Sequence, residues 1–155
     1  MNMKITRFAL GVKCGALGAS RLLPESAAVA ARVTELLDIF NLGRFRDAPA
    51  RSLPYGDQRR LEIIRALATR PKLLLLDEPS AGMTHDETTE LMDDILQIRT
   101  LNKNLTIVIV EHEMGVIERI TNRCVVLNFG RKIAEGPYRQ VAADRQVQEA
   151  YLGVT

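Results

Sequence analysis

Apolar residues recur along this chain with two different periods, and the change of period divides it. From Ser26 onward, Val29, Val33, Leu36, Leu37 and Phe40 fall on one helical face, and Gly43 lies where that helix is expected to stop. A polar loop from Arg44 to Ser52 follows. A second helix is then predicted to start near Asp57, with Leu61, Ile64, Leu67 and Ala68 inward and Pro71 past its end. Beyond it the period shortens. Leu73-Leu74-Leu75-Leu76 lacks any polar alternation and predicts a strand covered on both faces. Pro79 and Gly82 predict a loop, and Thr84 with Glu87 three residues later predicts a capping box. The helix it opens carries Leu91, Ile95, Ile98 and Leu101. A β-branched strand, Thr106–Val110, and a short helix over about Glu113–Ile120 come next. Strands at Cys124–Leu127 and Arg131–Glu135 around Asn128-Phe129-Gly130 read as a hairpin, and Pro137 suits the first turn of a last helical segment. Residues 1–23 are weakly patterned, with Gly11, Gly15 and Gly18 interrupting any helix.

Strands alternating with helices after Pro71 argue for a parallel α/β sheet, and the helical stretch before it suggests two subdomains meeting there. The 155 residues suffice for one domain with a core, and 46% hydrophobic with 26% charged residues is a globular balance. A net charge of +2 is too small to argue for nucleic acid or an anionic membrane surface. Cys14 and Cys124 stand far apart and outside any CxxC spacing, which predicts neither a disulfide framework nor a zinc site and fits a reducing compartment. The apolar stretch Phe8–Val12 is cut short by Lys13, so a signal peptide is not expected and the cytoplasm is.

Chemistry concentrates where two strands end. Asp77 and Glu78 follow the leucines, and Glu111 and His112 follow Thr106–Val110. Ligands of open α/β sheets sit beyond such carboxyl ends. An acid in that place can hold Mg²⁺ beside a nucleotide, as a Walker B aspartate does. Glu78 would then polarise an attacking water, and His112 would steady the charge of a terminal phosphate. Other readings of these residues fail or are weaker. His112-Glu113 begins like HExxH, but Val116 stands where the second histidine belongs. His85-Asp86-Glu87 could suggest a metal cluster, yet acids at a helix start are explained by the helix dipole. Upstream, Leu53-Pro54-Tyr55-Gly56-Asp57-Gln58-Arg59-Arg60 puts a glycine-bearing loop at a helix N-terminus, the physical requirement for an anion site.

Together these motifs resemble the ATP-binding subunits of ABC transporters. LPYGDQRRLEIIRAL is similar to the family signature whose commonest form is LSGGQ, LLLLDEPSAGM resembles Walker B with its D-loop, and IVIVEHEM resembles the switch-histidine strand. The wording LPYGDQRRLEI, DEPSAGM, EHEMGVIERI and AYLG resembles the branched-chain amino acid importers. The likeness runs from about Glu25 to the C-terminus, and more loosely before it. It implies an α/β fold, an incomplete ABC-type nucleotide-binding domain: residues 1–70 as a portion of the helical subdomain ending in the signature, and residues 71–155 as the C-terminal half of the parallel-sheet core. It further implies that Asp77 holds Mg²⁺ through water, Glu78 is general base and His112 contacts the γ-phosphate. Pro54, Tyr55, Gly56, Asp57 and Gln58 would reach the ATP bound by a second ATPase subunit, identical or related, in a head-to-tail dimer. The Ser26–Phe40 helix would face transmembrane permease subunits, placing the protein on the inner face of the cell membrane.

Departures accompany the likeness. The signature serine is Pro54, its glutamine is Asp57, either an acid near phosphate or a helix cap, and the D-loop aspartate position is Thr84. No GxxxxGK[ST] pattern and no Q-loop stand in the chain; Gly11-Val12-Lys13-Cys14 and Gly15-Ala16-Leu17-Gly18 come nearest. That loop ordinarily cradles phosphates, so weak ATP binding by the chain alone is expected, with apolar strand faces exposed. Two functions follow: an importer ATPase in truncated form, or an inert or regulatory fragment that binds permease or a full-length ATPase subunit. Chromosome-maintenance and repair ATPases share the signature and Walker B, but their long heptads are missing here.

Overall fold

The computed structural model describes residues 27–151. The weakly patterned segment, Cys14 and the Ser26 start of the first helix lie outside the described residues. The chain divides into two compact units, residues 1–110 and 111–155. The boundary near residue 70 expected from motifs is of another kind, and it stays a proposal.

In the first unit, helix α1 (Ala27–Ile39) contacts both α2 (Tyr55–Leu67) and α3 (His85–Leu101). Its inner face is the one read from spacing except in the first turn: Val33, Leu36, Leu37 and Phe40 are all fully buried, but Val29, expected beside them, is 38% exposed. The helix stops earlier than Gly43. Asn41 takes the left-handed conformation at φ 55°, the Leu42 N–H donates to Leu37 O at 2.7 Å and the Asn41 N–H to Asp38 O at 3.1 Å. That pair of bonds is a Schellman ending, and Leu42 is buried behind it. The polar stretch that follows holds two single 3₁₀ turns, Gly43–Phe45 and Ala50–Ser52.

Strands β1 (Leu73–Asp77) and β2 (Thr106–Val110) pair in parallel, Leu73 opposite Thr106 through Asp77 opposite Val110. The ladder runs one residue further, with the Glu78 N–H donating to Val110 O at 2.9 Å. Burial on both faces of the leucine strand, expected from its run of four, is not what the structure has. Leu74 and Leu76 are buried, but Leu73 is half exposed and Leu75 is 67% exposed. Val108 and Val110 are exposed likewise. Side chains alternate across a strand, so one face of this two-stranded sheet joins the core and the other meets solvent. The expectation of exposed apolar strand faces is met.

In the second unit, helix α4 (Met114–Ile120) precedes the antiparallel hairpin β3 (Cys124–Asn128) and β4 (Arg131–Gly136). Its two-residue turn carries Phe129 at φ 48° and Gly130 at φ 75°, the positive pair that matches strand twist. Phe129 is 99% exposed. The last helical segment is two helices, α5 (Tyr138–Ala142) and α6 (Arg145–Tyr151), with Pro137 as the N-cap of α5. Cys124, Val141 and Val147 form a small core with Met114, Ile117, Val126, Ile133, Ala134 and Tyr138 packed on it. The Tyr151 hydroxyl donates to Leu127 O at 2.8 Å, tying α6 to the hairpin.

Candidate functional site

Asp77 is the last residue of β1 and Glu78 the first beyond it, and both are exposed. No buried cation is therefore required to offset them. The chain turns sharply at once: Glu78 sits at φ 43°, Pro79 and Ser80 are buried, and the Ala81 N–H returns to Glu78 O at 3.1 Å. A left-handed glutamate costs about 1–2 kcal/mol, and strain of this kind concentrates where a side chain must be aimed. Glu111 and His112 follow Val110 directly, and His112 is exposed in the second unit.

Among the described residues no group of three His, Cys, Asp or Glu side chains could enclose a metal. A single exposed carboxylate, Asp77, still suits Mg²⁺, which keeps several waters and takes one or two carboxylates beside substrate phosphates.

The loop Pro54–Gln58 opens α2 two residues earlier than expected, with Pro54 at the N-cap and Tyr55 first in the helix. The first helical bond is Gln58 N–H to Pro54 O at 3.0 Å, which leaves the N–H groups of the opening turn outside the helical ladder. Pro54, Tyr55 and Gln58 are exposed and Gly56 is buried. The Gln58 side chain is turned back, Nε2 donating to Leu53 O at 2.8 Å. Asp57 makes no cap bond, contrary to one of its two expected roles. Its carboxylate accepts from Arg60 Nη1 at 3.3 Å and is nearly buried. An acid so neutralised is a weaker obstacle to a nearby phosphate.

Arg60 is the buried charge at this site that the sequence did not point to. Its side chain is 8% exposed and meets three acids: Asp57, Glu90 at 2.6 Å and Asp94 at 3.3 Å. Burial works against its charge, but the Glu90 hydrogen bond and the surrounding carboxylates outweigh it and raise its pKa. The Arg60 Nε and Asp94 Oδ2 atoms are close without the alignment of a hydrogen bond. Burial accordingly pushes the Asp94 carboxyl up to about 6, although Arg60 pulls the other way. The capping box is present as expected: Thr84 Oγ1 accepts from the Glu87 N–H at 3.3 Å, and the Thr84 N–H donates to Glu87 Oε2 at 2.8 Å. These bonds hold the Glu87 carboxyl below its ordinary value.

A family model described as "ABC transporter" matches residues 5–81, and one described as "Branched-chain amino acid ATP-binding cassette transporter" matches residues 131–155. The chain belongs to the ABC transporter ATP-binding family. Its similarity is to the branched-chain amino acid type. It is 41% identical over 117 residues to the high-affinity branched-chain amino acid transport ATP-binding protein BraF of Pseudomonas aeruginosa, covering 76% of this chain and 46% of that protein. It is 40% identical over 122 residues to LivG of Escherichia coli, which carries the same description, covering 79% and 48%. The chain thus spans about half the length of the curated relatives it matches. The crystal structure of an ATP-binding cassette of an ABC transporter in its ADP conformation superposes with a TM-score of 0.80 at 24% identity, over 99% of this chain and 63% of that one. That likeness establishes the fold, an incomplete ABC-type α/β domain.

Proposed function

We propose that this chain is the signature-to-C-terminal portion of an ATP-hydrolysing subunit that powers import of branched-chain amino acids. What carries the reading is the parallel pairing of β1 with β2, which sets Asp77 beside Val110 at the carboxyl end of the sheet. The similarity to BraF and LivG supports the solute class. Asp77 would hold Mg²⁺, and the ion would supply neutralisation of charge on the transferring phosphate. Glu78 accepts the proton of the attacking water and His112 hydrogen-bonds the γ-phosphate. Pro54, Tyr55, Gly56, Asp57 and Gln58 meet the ATP of a second subunit, identical or related, arranged head-to-tail. The exposed members, Pro54, Tyr55 and Gln58, make the outward contact. Transmembrane permease subunits hold the assembly at the inner membrane face; no described helix is long and apolar enough to cross a membrane itself.

A second reading has its own observation. Leu73, Leu75, Val108 and Val110 leave one sheet face uncovered, and the chain contains no GxxxxGK[ST]. On that reading it is a non-hydrolysing fragment that binds permease or a full-length ATPase subunit. Uptake of radiolabelled leucine in the source organism tests both. Loss of uptake on deleting the gene and also in a Glu78→Gln allele supports the ATPase. Loss on deletion with uptake kept in the Glu78→Gln allele selects the binding fragment. Unchanged uptake in both overturns the importer role altogether.

A further inference from the structure

The start of α2 and the start of α3 are joined at three successive levels. At the outer level the Tyr55 ring lies over Gly82, where an added Cβ would stand 3.2 Å from Tyr55 Cε1. At the next, Gly56 faces Glu87 so closely that a Cβ there would stand 2.8 Å from Glu87 Oε1 and 3.4 Å from Met83 Cε. At the inner level Arg60 reaches Glu90 and Asp94. The spacing explains the register: Gly56 and Arg60 are four apart on α2, and Glu87, Glu90 and Asp94 follow one face of α3. The outer two levels are contacts of shape. The inner level is a charge network in which Arg60 Nη2 donates to Glu90 and Nη1 to Asp57.

We propose that Arg60 is a positioning residue that clamps α2 to α3, so that the loop Pro54–Gln58 and the segment 78–84, which carries Glu78, move as one body. A planar guanidinium with a fixed fork of donors suits this, because two bonds set orientation as well as distance. Buried charges also resist sliding, since any slip leaves an acid unpaired in a poorly solvated place. The clamp does not need a nucleotide. Its meaning rests on the proposed function: the loop would then touch the partner's nucleotide while Glu78 serves the chain's own, and Arg60 would tie the two sites together.

Amide hydrogen exchange on the full 155-residue chain, without nucleotide, tests the clamp separately from that function. The amides to follow are those of 58–62 and 81–88, which include the bonds of Gln58, Ala81, Met83, Glu87 and Thr88. In Arg60→Met both segments lose at least about tenfold more protection than the β1 and β2 amides, whose own loss reports the change in global stability. Arg60→Lys, which keeps the charge without the fork, restores part of the protection in both segments together. Acceleration confined to 58–62 overturns the clamp, and so does uniform acceleration that includes β1 and β2. If Arg60→Met does not fold, Glu90→Gln removes the negative charge from the shortest bond at its exposed end, and the same two-segment pattern is expected at smaller amplitude. No change in either segment with Glu90→Gln then overturns the proposal.

Discussion

Two groups of acids lie within the first unit, and they are built in opposite ways. Asp57, Glu90 and Asp94 surround one buried arginine, and two of the three are themselves nearly buried. Asp77 and Glu78 stand exposed at a strand end, on a backbone that Glu78 bends through a left-handed conformation. Residue type is the same in both places; burial is not. A buried acid must have a cation against it, which makes the first group a fastening. An exposed acid is within reach of a ligand from solution, which makes the second the better candidate for chemistry.

The contrast can be broken most sharply at Arg60. Arg60→Met leaves Asp57 and Asp94 buried without a partner and is expected to cost about 3–5 kcal/mol, read as a lower urea midpoint by circular dichroism. Glu78→Gln should move that midpoint little. An equal loss in both variants would erase the distinction between fastening and open site.

Acid titration sharpens it further. The folded Asp94 carboxyl lies at about 6, above the roughly 3.9 of an unfolded aspartate. The folded state therefore binds more protons in that window, and stability falls as pH rises through it. Glu87, held below its ordinary value, works in the opposite sense, gaining stability with rising pH. Comparing the chain with Asp94→Asn separates the two: the falling limb toward pH 6 disappears in the variant. A limb that persists would place its origin elsewhere.

At the open site, Glu78→Gly should stabilise by about 1 kcal/mol because the left-handed conformation no longer strains a Cβ. Glu78→Ala removes the same carboxylate and keeps the strain, so it should not. Equal behaviour of the two in thermal unfolding would show that φ at Glu78 stores nothing. The smallest effect on stability is expected at the uncovered sheet face, where Leu75→Lys should stay within about 0.5 kcal/mol. Its effect belongs to association: sedimentation should find less self-association than in the unaltered chain, as charge on an exposed apolar face predicts.

What local pattern controls was legible. Thr84 and Glu87 announced a capping box because both partners lie within one turn, and the α1 face came from spacing alone. The Asn41 ending was not legible, because Asn enters the left-handed region only when the bonds around Leu37 and Asp38 reward it. Arg60 was missed for a different reason. Its shortest partner, Glu90, is thirty residues away on another helix, and only the Asp57 spacing on its own helix offered a hint.

The order of motifs by itself determined the family and the α/β class, since LPYGDQ, LLLLDEP and EHEM are local strings whose sequence is their meaning. Four consecutive leucines could also predict a strand, because β1 forms from its own residues and its ladder to β2. Which leucines are covered was decided only by tertiary structure. A run of identical side chains carries no record of how many layers pack against it, and here one layer covers Leu74 and Leu76 while Leu75 faces water. In the same way, only the approach of α3 to α2 turned Arg60 and Asp94 from surface charges into a buried pair, with Glu90 closing over them from the exposed side. Burial is a property of neighbours, and neighbours distant in sequence are what folding alone supplies.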